Sequence, residues 1–225
     1  MRHILGLFVM IVISVPAAAQ LDRISNADAA SGLRQALSDG SVAAIAKLGV
    51  ENGFFGDPRV KIPLPPSLKR VESAMRAFGM RRQADELVLS MNRAAEAAVP
   101  EAKQLLVDAV RKMSVQDAKQ ILSGGDTAGT EYFKRTTRPQ LTERFLPIVK
   151  KATDRVGLAQ QYNSLAGQGA ALGLVREDQA TIERYVTQQA LDGLYFMIGE
   201  QEKAFRKNPL GATSDIVKRV FGALR

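Results

Sequence analysis

Any chemistry in this chain has to come from carboxylates, lysine, arginine, tyrosine, serine or threonine. The sequence has no cysteine and a single histidine, His3. Thiolate nucleophiles, metal-thiolate centres and disulfides are therefore excluded. His3 lies in an N-terminal segment expected to be cleaved off, and without it no Ser-His-Asp triad, histidine-ligated metal or histidine pH switch can form. Asp192 is the first candidate, as the one carboxylate in the apolar run from Ala190 to Ile198. A carboxylate wrapped there must lose its charge or find a donor, because a buried unpaired charge is costly. Arg135, in the stretch EYFKRTT, is the expected partner, since a guanidinium offers two parallel hydrogen bonds and stays charged when buried. That stretch also supplies Tyr132, Thr136 and Thr137 as candidate polar residues. Asn92 and Glu96 stand four apart in an alanine-rich segment. Glu96 could act as a catalytic acid, but a place on a helix surface or pairing with Arg93 or Lys103 is the favoured reading. Arg138, Arg144, Lys151 and Arg155 form a candidate basic face that could meet phosphates, although a charged row opposite an apolar stripe is usually the solvated side. Gly157, Gly167, Gly169 and Gly173 follow no strand and no G-K-[ST] occurs, so neither a dinucleotide fingerprint nor a phosphate loop is present. They are read as allowing a bend and close packing, and no cofactor or metal is implied.

The elements that must position these residues all have helical spacing. Apolar and small residues from Ser25 to Gly49 recur every three or four positions, with Ser25 and Asp28 as a cap and Gly40 as a break between two short helices. Phe54 to Leu68 should be extended, because Val60, Ile62 and Leu64 alternate with polar residues or proline. Pro63, Pro65 and Pro66 lack amide donors, so this reads as a strap laid over the bundle rather than a central strand or a polyproline ligand. A helix follows over Ser67 to Phe78, stopped by Gly79. From Asp85 to Met113 the stripe Leu87, Met91, Ala94, Ala98, Ala102, Leu105, Ala109, Met113 marks a long amphipathic helix that Pro100 kinks or splits. Ser114 and Asp117 cap a short helix ending at Ser123-Gly124-Gly125. The polar segment Asp126 to Thr137 comes next, and Thr137 with Gln140 caps a helix striped by Leu141, Phe145, Ile148, Ala152 and Val156. The helix from Asp178 to Asn208 has no polar face at its middle, which makes it the hub of an all-α bundle. Asn208-Pro209 stops it, and an amphipathic helix over Ser214 to Leu224 closes the chain.

Arg2, the apolar run Ile4 to Ile13 and Ala17-Ala18-Ala19 before Gln20 have the layout of a secretory signal peptide over residues 1 to 19. The run is too short for a membrane anchor, and no later run reaches membrane-spanning length. The expectation is a periplasmic or secreted protein, with residues 20 to 225 folding as one helical domain of adequate core size. The chain carries 31 Lys+Arg against 23 Asp+Glu, a net charge of +8, and loss of Arg2 with the leader lowers this by one.

IPLP at 62 to 65, NRAAEAA at 92 to 98, EYFKRTT at 131 to 137, the Phe145-Leu146-Pro147 step, YVTQQALDGL at 185 to 194, NP at 208 to 209 and VFG at 220 to 222 together resemble one bacterial family, domain of unknown function 4197. The likeness runs from about Ala29 to Gly222. It implies an exported helical protein and carries over no functional residue. Tyr195 departs from the Phe expected after Asp-Gly-Leu.

Three functions remain open. The first is a non-enzymatic periplasmic protein that binds a partner protein, a peptide or an apolar small ligand, the last if Leu194, Phe196 and Met197 line a closed cavity. The second is a basic protein docking on anionic envelope lipid or glycan, for which Arg135, Arg138, Arg144, Lys151 and Arg155 should make one continuous patch. The third is a glycan-cleaving enzyme using Asp192 or Glu96 as general acid. Nucleic acid is not expected as a partner, since no recognised binding motif is present.

Overall fold

A computed structural model describes residues 25–171, 176, 180–209 and 214–223. The proposed leader, Gly173 and Leu224 lie outside these residues, as does the start of the hub helix at Asp178. The architecture is all-α, with no strand among the described residues.

Helix α1 (Asn26–Leu48) opens where the Ser25 hydroxyl accepts the Asp28 amide at 3.0 Å. The expected break at Gly40 does not occur: Gly40 sits inside one continuous helix, where an added Cβ would lie 3.2 Å from Cβ of Gln201 and 3.6 Å from the Phe205 ring. Close approach of a neighbouring helix outweighs the helix propensity lost at a glycine, about 1 kcal/mol. The strap then runs to α2 (Pro66–Ala77). Its first part, Glu51 to Val60 apart from Asp57, is a series of turns rather than extended chain. The expected alternation holds further on, where Val60, Ile62 and Leu64 are buried while Lys61 and Pro63 are exposed.

Gly79, at φ +78°, turns the chain into α3 (Arg81–Ala98). Pro100 does split the long amphipathic helix. A 3-10 turn (Val99–Glu101) separates α3 from α4 (Ala102–Lys112), and beyond it Leu106 rather than Leu105 is fully buried. Ser114 and Asp117 form a reciprocal capping box on α5 (Val115–Leu122).

The largest departure from expectation is α6 (Ala128–Thr153), one helix that absorbs the polar segment and has Thr137 in its interior rather than at its cap. The hydroxyls of Thr136 and Thr137 bond back to the carbonyls of Tyr132 and Phe133 at 2.8 and 2.7 Å, so these residues need no turn to satisfy them. Among the buried positions along α6, Gly129, Phe133, Thr137, Leu141, Phe145, Val149 and Thr153 are spaced strictly by four, and Thr130 and Tyr132 are buried beside them near its start. Four residues overshoot a 3.6-residue turn by about 40°, so the stripe winds around the helix and reaches different neighbours at each level. For that reason Ile148 is only partly buried and Ala152 is exposed, against the straight stripe expected.

Helix α7 (Gly157–Ala171) contains Gly157 and Gly167, where an added Cβ would meet nothing within 4 Å, so these two glycines do not mediate close packing. Helix α8 (Ile182–Lys207) is the hub: it packs on α1, α3, α6 and α7, and on α9 (Asp215–Gly222). Its middle is buried on every side but one, because Asp192 and Phe196, one turn apart, remain exposed. Helix α9 lies against α1, with Gly32 so near Val220 that a Cβ would stand 2.5 Å from its Cγ2.

Candidate functional site

The two polar residues of the alanine-rich segment hold the strap. Asn92 is fully buried; its Oδ1 accepts the Ile62 amide at 2.8 Å and its Nδ2 donates to the Ile62 carbonyl at 2.9 Å. Glu96 is buried as well, not on a surface. Its Oε1 accepts the amides of Phe54 and Phe55 at 3.0 and 3.1 Å, and its Oε2 pairs with Arg93 at 2.6 Å, one of the two partners offered by the sequence. With both oxygens engaged by donors, this carboxylate is a tether, not an available proton donor. Phe54 is fully buried against Gly193 of α8, where a Cβ would come within 2.6 Å of its ring.

Tyr185 completes the hold on the strap, its hydroxyl donating to the Pro63 carbonyl at 3.2 Å. Burial pushes this phenol up to about 12 from the usual 10. The neutral form is thus favoured in the folded protein, so stability is insensitive to this group below pH 10 and falls as pH rises from 10 towards 12. The expected loss from Tyr185 is about 3 kcal/mol, at 1.36 kcal/mol per pH unit. Denaturant titrations at pH 9 to 12 should show this fall in the wild type and a shallower one in Tyr185→Phe.

Asp192 is neither buried nor paired with Arg135. Its side chain is 56% exposed and its partner is Arg138, which also donates to Gln188 Oε1 at 2.6 Å. The hub is left uncovered along this strip, so the carboxylate faces water and Arg138 on α6 reaches it. Arg135 instead lies over the Tyr132 ring, 5.6 Å from its centroid. Tyr132 is buried and donates to the Ala109 carbonyl, and burial raises its pKa. A double-mutant cycle on Asp192→Asn and Arg138→Gln should give a coupling of about 0.2 to 1 kcal/mol, the range for exposed pairs. The same cycle with Arg135→Gln should give none.

Thr137, buried in α6, shares a 2.8 Å hydrogen bond with the hydroxyl of Tyr195, the residue that departs from the expected Phe. That hydroxyl ties α6 to α8, and burial raises its pKa. Arg144 and Lys151 do not join Arg135 in one patch: at about 100° per residue they fall on α6 roughly opposite it. Arg138 is taken up by Asp192, and Arg155 lies past the end of α6.

The concave feature next to Asp192 is a groove of about 300 Å³ between α6 and α8, lined by Thr127, Thr130, Glu131 and Lys134 on one side and by Asp192, Tyr195, Phe196, Gly199 and Lys203 on the other. The helices run antiparallel here, as the contacts Thr130 to Glu202, Thr137 to Tyr195 and Arg138 to Asp192 show. Each row keeps the three-and-four spacing of a single helix face, and on α8 the row is about 16 Å long. Lys134 pairs with Glu131 at 2.7 Å and Lys203 with Glu200 at 3.0 Å. These pairs are partly exposed and so are worth little. Phe196 is 40% exposed, with the Arg59 guanidinium of the strap 5.9 Å from its ring centroid. Leu194 and Met197 are buried in the core and do not join Phe196 in a closed cavity. The small hollow beside Ile198 and Phe205 measures about 10 Å³, room for one water at most.

Sequence reasoning missed Lys134, Lys203 and Glu202. The first two were legible as Glu131-Lys134 and Glu200-Lys203, repeated three-residue Glu-to-Lys steps on facing helices. Glu202 was not legible, since its partners Gly129 and Thr130 are remote in sequence. Among the described residues no group of three or more His, Asp or Glu side chains could hold a metal ion, and no helix is long and apolar enough to cross a membrane.

Fold and groove together define an all-helical bundle with an open, charged cleft alongside its central helix. Within that class, residues 23–222 match the family model described as protein of unknown function (DUF4197), and the chain belongs to that family. No curated protein and no solved structure matches it.

Proposed function

We propose that the protein is a non-enzymatic, exported helical binding module, and that the groove between α6 and α8 receives a segment of an envelope partner protein. The observation that carries this reading is Phe196, a large aromatic left 40% exposed on the one open strip of the hub helix, beside Gly199 at the groove floor. Gly199 keeps the floor low there: a Cβ would already touch Thr127 at 3.4 Å and Thr130 at 3.5 Å. A partner's apolar side chain lies over that glycine against Phe196, while its charged flanks displace the weak pairs of Lys134 and Lys203. An open groove with polar rims suits a peptide or helix laid along it better than an enclosed small ligand. The layout of residues 1 to 19 supports export. The enzyme reading is weaker, since Glu96 has both oxygens occupied and Asp192 is held by Arg138.

A photo-crosslinking amino acid placed at position 196 in living cells tests the reading. It should capture one envelope protein that the same probe at exposed position 151 does not. The captured segment, as a synthetic peptide, should bind the purified protein saturably, and Phe196→Asp should weaken that binding tenfold or more, as for a central hot-spot aromatic. Equal capture at both positions, or an affinity unmoved by Phe196→Asp, overturns it.

A further inference from the structure

The corner between α2 and α3 carries the most exposed large apolar side chain of the described residues. Phe78 is 85% exposed, against 40% for Phe196. It is held out by local backbone geometry: α2 ends at Ala77, and the left-handed Gly79, with nothing within 4 Å of where a Cβ would be, reverses the chain into α3. Arg81 and Arg82 stand exposed just beyond it, and Lys69 is exposed near the other end of α2; from Pro66 to Glu86 the sequence has five basic residues against Glu72, Asp85 and Glu86. Arg81 reaches Asp85 at 3.8 Å, but that pair is 75% and 57% exposed and so does not neutralise the corner firmly. Beside the corner, Met80 is partly buried and shares a shallow hollow with Val156 and Leu158.

We infer that this corner docks the protein on an anionic lipid surface, with Phe78 entering the interface and Arg81 and Arg82 meeting the headgroups. An aromatic ring at the headgroup level with basic side chains around it is the chemistry of interfacial attachment. A protein partner would need a pocket shaped to a projecting ring, whereas a bilayer yields to a convex corner and supplies the opposite charge. The chain's net charge of +8 adds long-range attraction to the same surface. The inference is independent of the groove, and it relocates anionic docking from the face of α6 to the α2–α3 corner.

The test is flotation of the purified protein with vesicles of phosphatidylglycerol and phosphatidylcholine, compared with phosphatidylcholine alone. Wild type and variants share one N-terminus, so any affinity of the leader cancels in the comparison. Binding should require phosphatidylglycerol and weaken with salt. Phe78→Ser should lower partitioning about tenfold, the order expected for withdrawing a phenyl group from an apolar phase. Arg82→Ala should lower it about fivefold, the factor for ~1 kcal/mol per basic residue, and the equal charge change Arg144→Ala much less. The chain has no tryptophan, so Phe78→Trp gives an emission that reports this corner alone and should shift to the blue on anionic vesicles. Both sites are exposed, and unchanged melting of each variant checks the fold. No vesicle binding, equal losses from Arg82→Ala and Arg144→Ala, or an unshifted emission from the Phe78→Trp variant overturns the inference. The first of these results would leave Phe78 facing a protein.

Discussion

Glu202→Ala is expected to lower the stability by about 3 to 5 kcal/mol, the range for breaking a buried charge pair by removing one partner. The Glu202 carboxylate is almost fully buried and accepts the Gly129 amide, the Thr130 amide and the Thr130 hydroxyl, each at 2.9 Å. Thr127 makes no side-chain bond to the first turn of α6, so Glu202, on α8, is the acceptor that closes it. It also holds Arg206 at 3.0 Å, whose guanidinium is 11% exposed, lies over Phe221 and donates to the Ile121 carbonyl. Truncation strands two buried amides and takes the carboxylate from a part-buried cation. Glu202→Gln keeps an acceptor and should cost less, about 1 to 3 kcal/mol. Urea denaturation followed by circular dichroism reads both, and an unchanged midpoint for Glu202→Ala would mean the first turn of α6 finds its acceptor elsewhere.

Phe145→Ala should cost a similar amount, about 3 to 5 kcal/mol, from lost burial and the cavity left behind. Phe145 is fully buried, between Leu141 and Val149 on the winding stripe of α6. The neighbours on the two alternative stripes make the measurement sharper. Val149 is fully buried and Ile148 only partly so. Val149→Ala should therefore shift the denaturation midpoint more than Ile148→Ala, although the latter removes the larger side chain. The reverse order would restore the straight stripe.

Much of this fold was legible because the signals were local. The Ser25 and Ser114 caps, the stop at Gly79, the split at Pro100 and the burial of Val60, Ile62 and Leu64 all follow from residues within a few positions of each other. The misreadings have a common physical origin in contacts between distant parts of the chain. Thr136 and Thr137 look like turn residues until their hydroxyls are seen to bond within the helix, and the start of α6 depends on an acceptor in a helix far along the sequence. Gly40 reads as a break when the side chains of Gln201 and Phe205 are out of view. Asp192 does lie at the centre of the hub, yet its own helix could not show that one strip would stay open. The groove was the least legible feature, because its two walls are ordinary charged helix faces until they are set side by side.

The way the strap is held bears on survival among proteases. Peptidases bind an extended substrate by its backbone, adding it as a strand through main-chain hydrogen bonds. Between Lys61 and Pro66 that backbone is already spoken for. The Lys61 amide donates to the Asp57 carbonyl, Asn92 takes both the amide and the carbonyl of Ile62, Tyr185 takes the carbonyl of Pro63, and Pro63, Pro65 and Pro66 have no amide to offer. This extended segment therefore has little edge left for an enzyme to grip, and cutting beside Lys61 would first require Asn92 to let go.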